Sequence, residues 1–283
     1  MWGAFMEEKY VIIKNTDGLA AKRNIGLEEY RSLYNAAQIL EEFDYIAFLA
    51  NSFESEREAF LSYDFSQFNV SEIDMFSMML NSLNAIATNN NLWEAYLKRK
   101  YKSDSEIFPT TSSTKKKSIF GIKDSEYYDN NVEYVVAKAL RNMVVHSEKP
   151  YSEIWYDDAL RRHFIIHTNV LLQGDNLNDS GKNIVTNCEL DYFDVIEVIK
   201  RAFEIVVELN LYIFNFLLKK EWINFYGGRT TVRSHLGVDW QGAYLVQINP
   251  QYPPSHLMYL STTGISKSAM DRILSIAAKS LNT

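Results

Sequence analysis

Between Val132 and Met143 the apolar residues Val132, Val135, Val136, Ala139, Leu140 and Met143 recur at i, i+3, i+4, i+7, i+8 and i+11. A helix with 3.6 residues per turn gathers those positions on one face, so this segment folds as a helix with one side buried. The pattern predicts a helix from about Tyr127 to His146, and Pro150 stops anything further because it has no N–H to donate. Two other segments carry the same signature. Leu33, Ala37, Leu40, Phe43, Ala47 and Ala50 form a stripe in a stretch from Leu27 to about Tyr63 that has neither Gly nor Pro. Phe76, Met79, Leu80, Leu83, Ile86 and Ala87 form another between Ser71 and Tyr101, with Ser71 placed to cap the helix and Asp74 where a capping box puts an acid. A fourth segment, about Asp191 to Tyr226, is apolar nearly all round between Phe203 and Leu218, as in a helix buried on most sides by its own domain or a partner subunit. The chain is therefore expected to be mainly α, built on four long helices.

The remaining segments are shorter. Residues 1–26 show no clear periodicity, and residues 103–124 read as an exposed loop marked by Pro109, a Thr/Ser run and Lys115-Lys116-Lys117. Phe164 to Leu172 is β-branched and short enough for a strand, and Gly174-Asp175-Asn176 and Asp179-Ser180-Gly181 are turn signals. Gly227-Gly228 reads as a break. Beyond it come a strand-like run, Ala243 to Ile248, and a helix from Ser266 to about Leu281. The expected organisation is a helical domain over residues 1–226 with a short β-like insertion, then a small α+β appendage over residues 227–283 with no assigned role.

Composition removes several function classes. The net charge of −7 opposes a generally basic nucleic-acid-binding surface, though not a small phosphate site. The basic run Lys98-Arg99-Lys100-Tyr101-Lys102 reads as a solvated helix end. Cys188 is the one cysteine, so there is no disulfide framework and a reducing compartment is expected. Glu7 and Glu8 precede any apolar run, and Ile205 to Leu218 is too short to span a bilayer. A cytoplasmic protein with no membrane partner is expected. Neither a Gly-rich phosphate loop nor a Gly-x-Ser-x-Gly elbow is present. His163 and His167 lack a further ligand at zinc spacing. No metal or cofactor is expected.

The candidate chemistry lies in Arg141-Asn142-Met143-Val144-Val145-His146, at the end of the third helix. Arginine is a permanent cation that grips a phosphate bidentately, and histidine exchanges a proton near neutral pH. The spacing alone selects nothing, because Arg161/His167, Arg162/His167 and Arg229/His235 share it. In strand-like sequence the pair Arg162/His167 points to opposite faces and reads as a decoy. On a regular helix Arg141 and His146 stand about 140° apart. Either the helix ends near Val145, or two copies of the motif meet across a two-fold axis and each supplies part of the site.

Four long helices, with Ala139-Leu140-Arg141-Asn142-Met143-Val144-Val145-His146 closing the third, resemble the HEPN family of nucleases. That family's signature is an Arg, a polar residue, and a His four to six residues after the Arg; Arg141, Asn142 and His146 match it. The resemblance covers about residues 27–226 and implies a homodimeric, metal-independent endoribonuclease of the toxin or anti-phage abortive-infection type. Its substrate would be RNA, with tRNA among the candidates, and an antitoxin or activator protein would control it. Where some members carry a modifiable tyrosine two residues past the histidine, this chain has Glu148. The resemblance also brings in Asn81 and Asn84 of the second helix as groove-facing residues, and Lys115, Lys116 and Lys117 as a loop over bound RNA. The competing readings are a non-catalytic helical dimer that acts as a protein-interaction scaffold and an RNA-binding module that grips without cutting.

Overall fold

A computed structural model of the chain describes residues 9–16, 19–65, 71–109, 117–146, 149–159, 161–173, 175–236, 243–248 and 257–260. In chain order the elements are β1 (Lys9–Thr16), β2 (Leu19–Ile25), α1 (Leu27–Asn51), α2 (Glu54–Ser62), α3 (Glu72–Tyr101), α4 (Ile119–Asn130), α5 (Val132–Val145), β3 (Glu153–Tyr156), β4 (Arg162–His167), α6 (Thr168–Gln173), α7 (Asp179–Asn187), β5 (Tyr192–Asp194), α8 (Val195–Leu236), β6 (Ala243–Ile248) and β7 (Leu257–Leu260). The fold is mainly helical, and no described helix is long and apolar enough to cross a membrane. The elements fall into two compact units, residues 1–48 with 214–283, and residues 49–213.

The first unit holds an antiparallel sheet in the order β2-β1-β6-β7. Its β1–β2 hairpin, with Tyr10 opposite Ile25 and Thr16 opposite Leu19, replaces the featureless N-terminal segment expected from sequence. The available signal was Asp17-Gly18 between two short runs, a dipeptide suited to a tight hairpin turn. β6 coincides with the strand expected at Ala243 to Ile248, whereas the helix expected from Ser266 lies outside the described residues. Gly227-Gly228 is not a break, because α8 runs through both glycines to Leu236. Gly228 sits where an added Cβ would meet the carbonyl oxygen of Ala36 and the side chain of Ile39, both at 3.3 Å. The missing side chain lets two helices approach closely. Beside it the Phe43 and Phe225 rings meet at a tilt, with their centres 4.3 Å apart.

In the second unit α5 is largely buried. Val135, Val136, Ala139, Leu140 and Met143 of the expected stripe are all buried. The helix expected from Tyr127 to His146 is two helices, however. Asn131 adopts an extended conformation, and the Asn130 and Asn131 amides donate to the carbonyls of Glu126 and Tyr127 at the end of α4 (2.7 and 2.9 Å). Asparagine competes with the backbone for such carbonyls and so ends helices. The helix expected from Leu27 to Tyr63 is likewise divided at Ser52-Phe53, where Phe53 is buried and stacks 6.1 Å from Phe203. The carbonyls freed there find partners. Asn89 donates to Leu49 (2.8 Å), and Asn210 donates to Ala50 (3.1 Å) while accepting from the Trp93 indole (2.6 Å). Both amides are buried, which satisfies a helix end that would otherwise be orphaned. At the start of α3 the expected cap is in place, with Ser71 Oγ accepting from the Asp74 N–H at 3.1 Å.

The strand expected from Phe164 to Leu172 ends at His167 and passes into α6. It forms the centre of an antiparallel sheet β3-β4-β5. Alternation puts Phe164, Ile166 and Phe193 into the core. His163 and His167 lie on the other face, where His163 Nδ1 meets Asp194 at 2.7 Å and His167 Nε2 bonds to Glu153. Arg161 is tied to Asp157 at 2.7 Å. The two histidines thus tie β4 to β5 and β3, and the arginine closes the connection between β3 and β4.

Candidate functional site

On α5 the residues Lys138, Arg141 and Asn142 stand at i, i+3 and i+4, so they share one face. That face borders a groove of about 330 Å³ whose other walls are α3, through Ile86, Asn90, Asn91 and Glu94, and α4, through Gly121 and Asp124. Lys138, Asn142 and Asp124 also border an adjoining groove of about 510 Å³, completed by Ser125, Tyr128 and residues 175–178. Local chemistry builds the walls. Ser118 Oγ caps α4 at the Gly121 N–H (2.9 Å) and donates to the Glu94 carboxylate (2.5 Å). A Cβ on Gly121 would sit 2.5 Å from that carboxylate, so glycine is what admits it. Asn178 Oδ1 caps α7 at the Gly181 N–H (2.8 Å), and Asn142 Nδ2 holds the preceding loop by donating to the Asn176 carbonyl at 3.1 Å.

Arg141 is half-buried, and its Nε is buried without a hydrogen-bond partner. Its one hydrogen bond among the described residues runs from a terminal nitrogen to Asn142 Oδ1 at 3.5 Å, and it forms no ion pair there. By contrast Arg23, Arg57, Arg161 and Arg201 each end on a carboxylate within 3.0 Å. A guanidinium facing a groove with its charge uncompensated is arranged to receive an anion.

Beside it lies a cluster that the sequence did not reveal. Asp124 accepts from Lys138 Nζ (2.8 and 3.0 Å) and from the Tyr134 hydroxyl (2.7 Å), and Asn90 donates to that hydroxyl at 2.8 Å. Lys138 Nζ also lies 4.6 Å from the Tyr134 ring centre and 5.2 Å from that of Tyr128. Burial, reinforced by the Asp124 charge, pushes the Tyr134 hydroxyl well above its ordinary range, so it stays a neutral donor. Four residues from three helices converge here, and only their spacing on α5 was visible beforehand.

His146 caps the C-terminus of α5, with φ −90° and ψ 17°, and its N–H donates to the Asn142 and Met143 carbonyls. The helix does end at Val145, as one of the two sequence alternatives required. The turn of the backbone comes after the His146 Cβ, which therefore stays on the helical track about 140° from Arg141. His146 is exposed and does not line either groove. Of the other expected site residues, Asn81 is exposed and Asn84 half-buried, and neither is among the residues that line the groove. Asn90, Asn91 and Glu94 line it instead, and Asn89 is buried. Lys117 reaches Ser125 on the larger groove at 2.9 Å, whereas Lys115, Lys116 and Glu148 lie outside the described residues.

Among the described residues no three His, Cys, Asp or Glu side chains are grouped to hold a metal ion. Comparison with family models, with curated proteins and with solved structures finds no match.

Proposed function

We propose that the protein is a metal-independent endoribonuclease of the HEPN kind, acting as a homodimer and serving as a toxin or anti-phage effector. The observation that carries this reading is Arg141, a half-buried guanidinium with no carboxylate partner among the described residues, on the wall of a groove between three helices. RNA supplies its own nucleophile. The 2′-oxygen attacks phosphorus, a bond forms between them, and the bond from phosphorus to the 5′-oxygen breaks. The His146 of the other copy accepts the 2′-proton and returns it to the leaving 5′-oxygen. Arg141 holds two phosphate oxygens and offsets the extra charge of the phosphorane, and Asn142 orients the ribose or the imidazole. The products are a 2′,3′-cyclic phosphate and a 5′-hydroxyl. Two copies are needed because His146 points away from its own chain's Arg141. Val145, 52% exposed beside His146, offers an apolar surface for the contact.

A scaffold reading is favoured by one observation, the exposure of Trp222 (48%), Ile223 (84%) and Tyr226 (61%) along α8. The deciding experiment incubates total RNA and a tRNA panel with wild type, Arg141→Ala and His146→Ala in EDTA. Cleavage by wild type alone, leaving 2′,3′-cyclic ends, is the expected result. A 5′-phosphate product, loss of activity in EDTA, or undiminished cleavage by Arg141→Ala overturns the reading.

A further inference from the structure

We infer that Lys138 is a second phosphate-binding cation of the groove, holding the RNA strand at the phosphate next to the one gripped by Arg141, with Asp124 and the Tyr128 and Tyr134 rings fixing its position. The inference rests on the ribonuclease reading and gives its substrate a path, a single strand running from the smaller groove into the larger.

Lys138 is the lysine common to both grooves, and it stands one turn before Arg141 on the same face of α5. At i, i+3 the two Cα atoms are separated by about 4.5 Å along the helix axis. An ammonium has three donors. Two of them go to Asp124 Oδ1 and Oδ2, and the third has no protein acceptor among the described residues. The side chain keeps 31% of its surface exposed, so an anion can reach that donor. Lysine stems are flexible and lose rotamer freedom on binding. Here the carboxylate and two ring faces have already taken that freedom. Asp124 is itself held by Tyr134 and, more loosely, by Asn90 at 3.4 Å, so its orientation does not depend on the lysine. The arrangement suits a positioned donor better than a neutralised surface charge. The wall beyond it, Asn142, Asn176, Asn178 and Ser125 with the Asp175 carboxylate among them, is mostly amide and hydroxyl, and Lys117 reaches it at Ser125.

The test is binding of a short mixed-sequence oligonucleotide with 2′-O-methyl riboses, which cannot be cleaved, by full-length wild type, Arg141→Ala, Lys138→Gln and Lys138→Arg. Each is measured over a series of salt concentrations. Lys138→Gln is expected to weaken binding severalfold at low salt and to reduce the slope of log K against log salt by about 0.7, the value for one contact to a single strand. Lys138→Arg is expected to restore both. In parallel, wild type is treated with acetic anhydride with and without the oligonucleotide, and acetylation of Lys138 is read by mass spectrometry. Protection of Lys138 is expected, and this arm does not depend on how well any variant folds. If Arg141→Ala weakens binding while Lys138→Gln leaves the affinity and slope of wild type, or if Lys138 is acetylated equally in both samples, the inference falls and the ribonuclease reading stands. If wild type does not bind the strand at all, both fall.

Discussion

The histidine on which the proposed chemistry depends has no side-chain partner among the described residues, whereas the two on the small sheet are already engaged. His163 is held between Asp194 at 2.7 Å and Asp157 at 3.6 Å, and the Asp194 hydrogen bond holds its imidazole above the usual histidine range. A histidine raised in the folded state adds stability below its unfolded value of about 6.5, and this is lost as pH rises through the folded value. His163→Gln should therefore lower the melting temperature most at about pH 6, with the gap to wild type closing toward about pH 9. Thermal unfolding across that range checks it, and a gap independent of pH would mean that the ring matters only by packing. At this scale the candidate site was half legible. Arg141 and Asn142 could be picked out because a cation and an amide at the end of an otherwise apolar helix are conspicuous. Asp124, Tyr134 and Asn90 could not, because an acid, a tyrosine and an asparagine are ordinary surface residues until three helices bring them within 3.4 Å of one another. The asparagine run of α3 was ambiguous for the same reason, since asparagine suits both a solvent face and a buried hydrogen bond.

Among the elements, those with an uninterrupted apolar period were readable, and those divided by side-chain hydrogen bonds were not. α3 and its Ser71 cap follow directly from sequence pattern, whereas the division of α4 from α5 rests on Asn130 and Asn131 taking carbonyls that a continuous helix would have used. The paired glycines of α8 misled in the other direction, because glycine signals both a helix stop and a close helix contact. The two positions separate these roles. A Cβ at Gly227 meets nothing within 4 Å, so Gly227→Ala should stabilise the protein by about 0.5–1 kcal/mol through helix propensity. At Gly228 the methyl meets Ala36 O and Ile39 at 3.3 Å, and the same substitution should forfeit that gain. Chemical denaturation of the two single variants decides it. Equal stabilisation by both would show that the close approach at Gly228 costs nothing.

For the whole molecule, a net charge of −7 means that the proposed RNA substrate would meet a local patch against a repulsive background, and because salt screens that repulsion as well as the few contacts, affinity should fall only gently with salt. If the active site combines Arg141 of one copy with His146 of another, two dead variants can rescue each other. Mixed and allowed to exchange, Arg141→Ala and His146→Ala should recover about a quarter of wild-type cleavage, since half the dimers are mixed and each rebuilds one of two sites. No recovery from a mixture shown to contain mixed dimers would place both groups in one chain. The end of α1 has a consequence for how such a protein is made. Asn89 reaches the Leu49 carbonyl from 40 residues downstream, but the partner of Ala50 lies 160 residues downstream. At about 5–20 residues per second of synthesis, the second lock closes roughly 8–30 s after the first helix has left the ribosome. For that interval the nascent chain presents a frayed helix end and the uncovered Trp93 indole, and a chaperone that shields them would decide how much of the protein reaches its folded form.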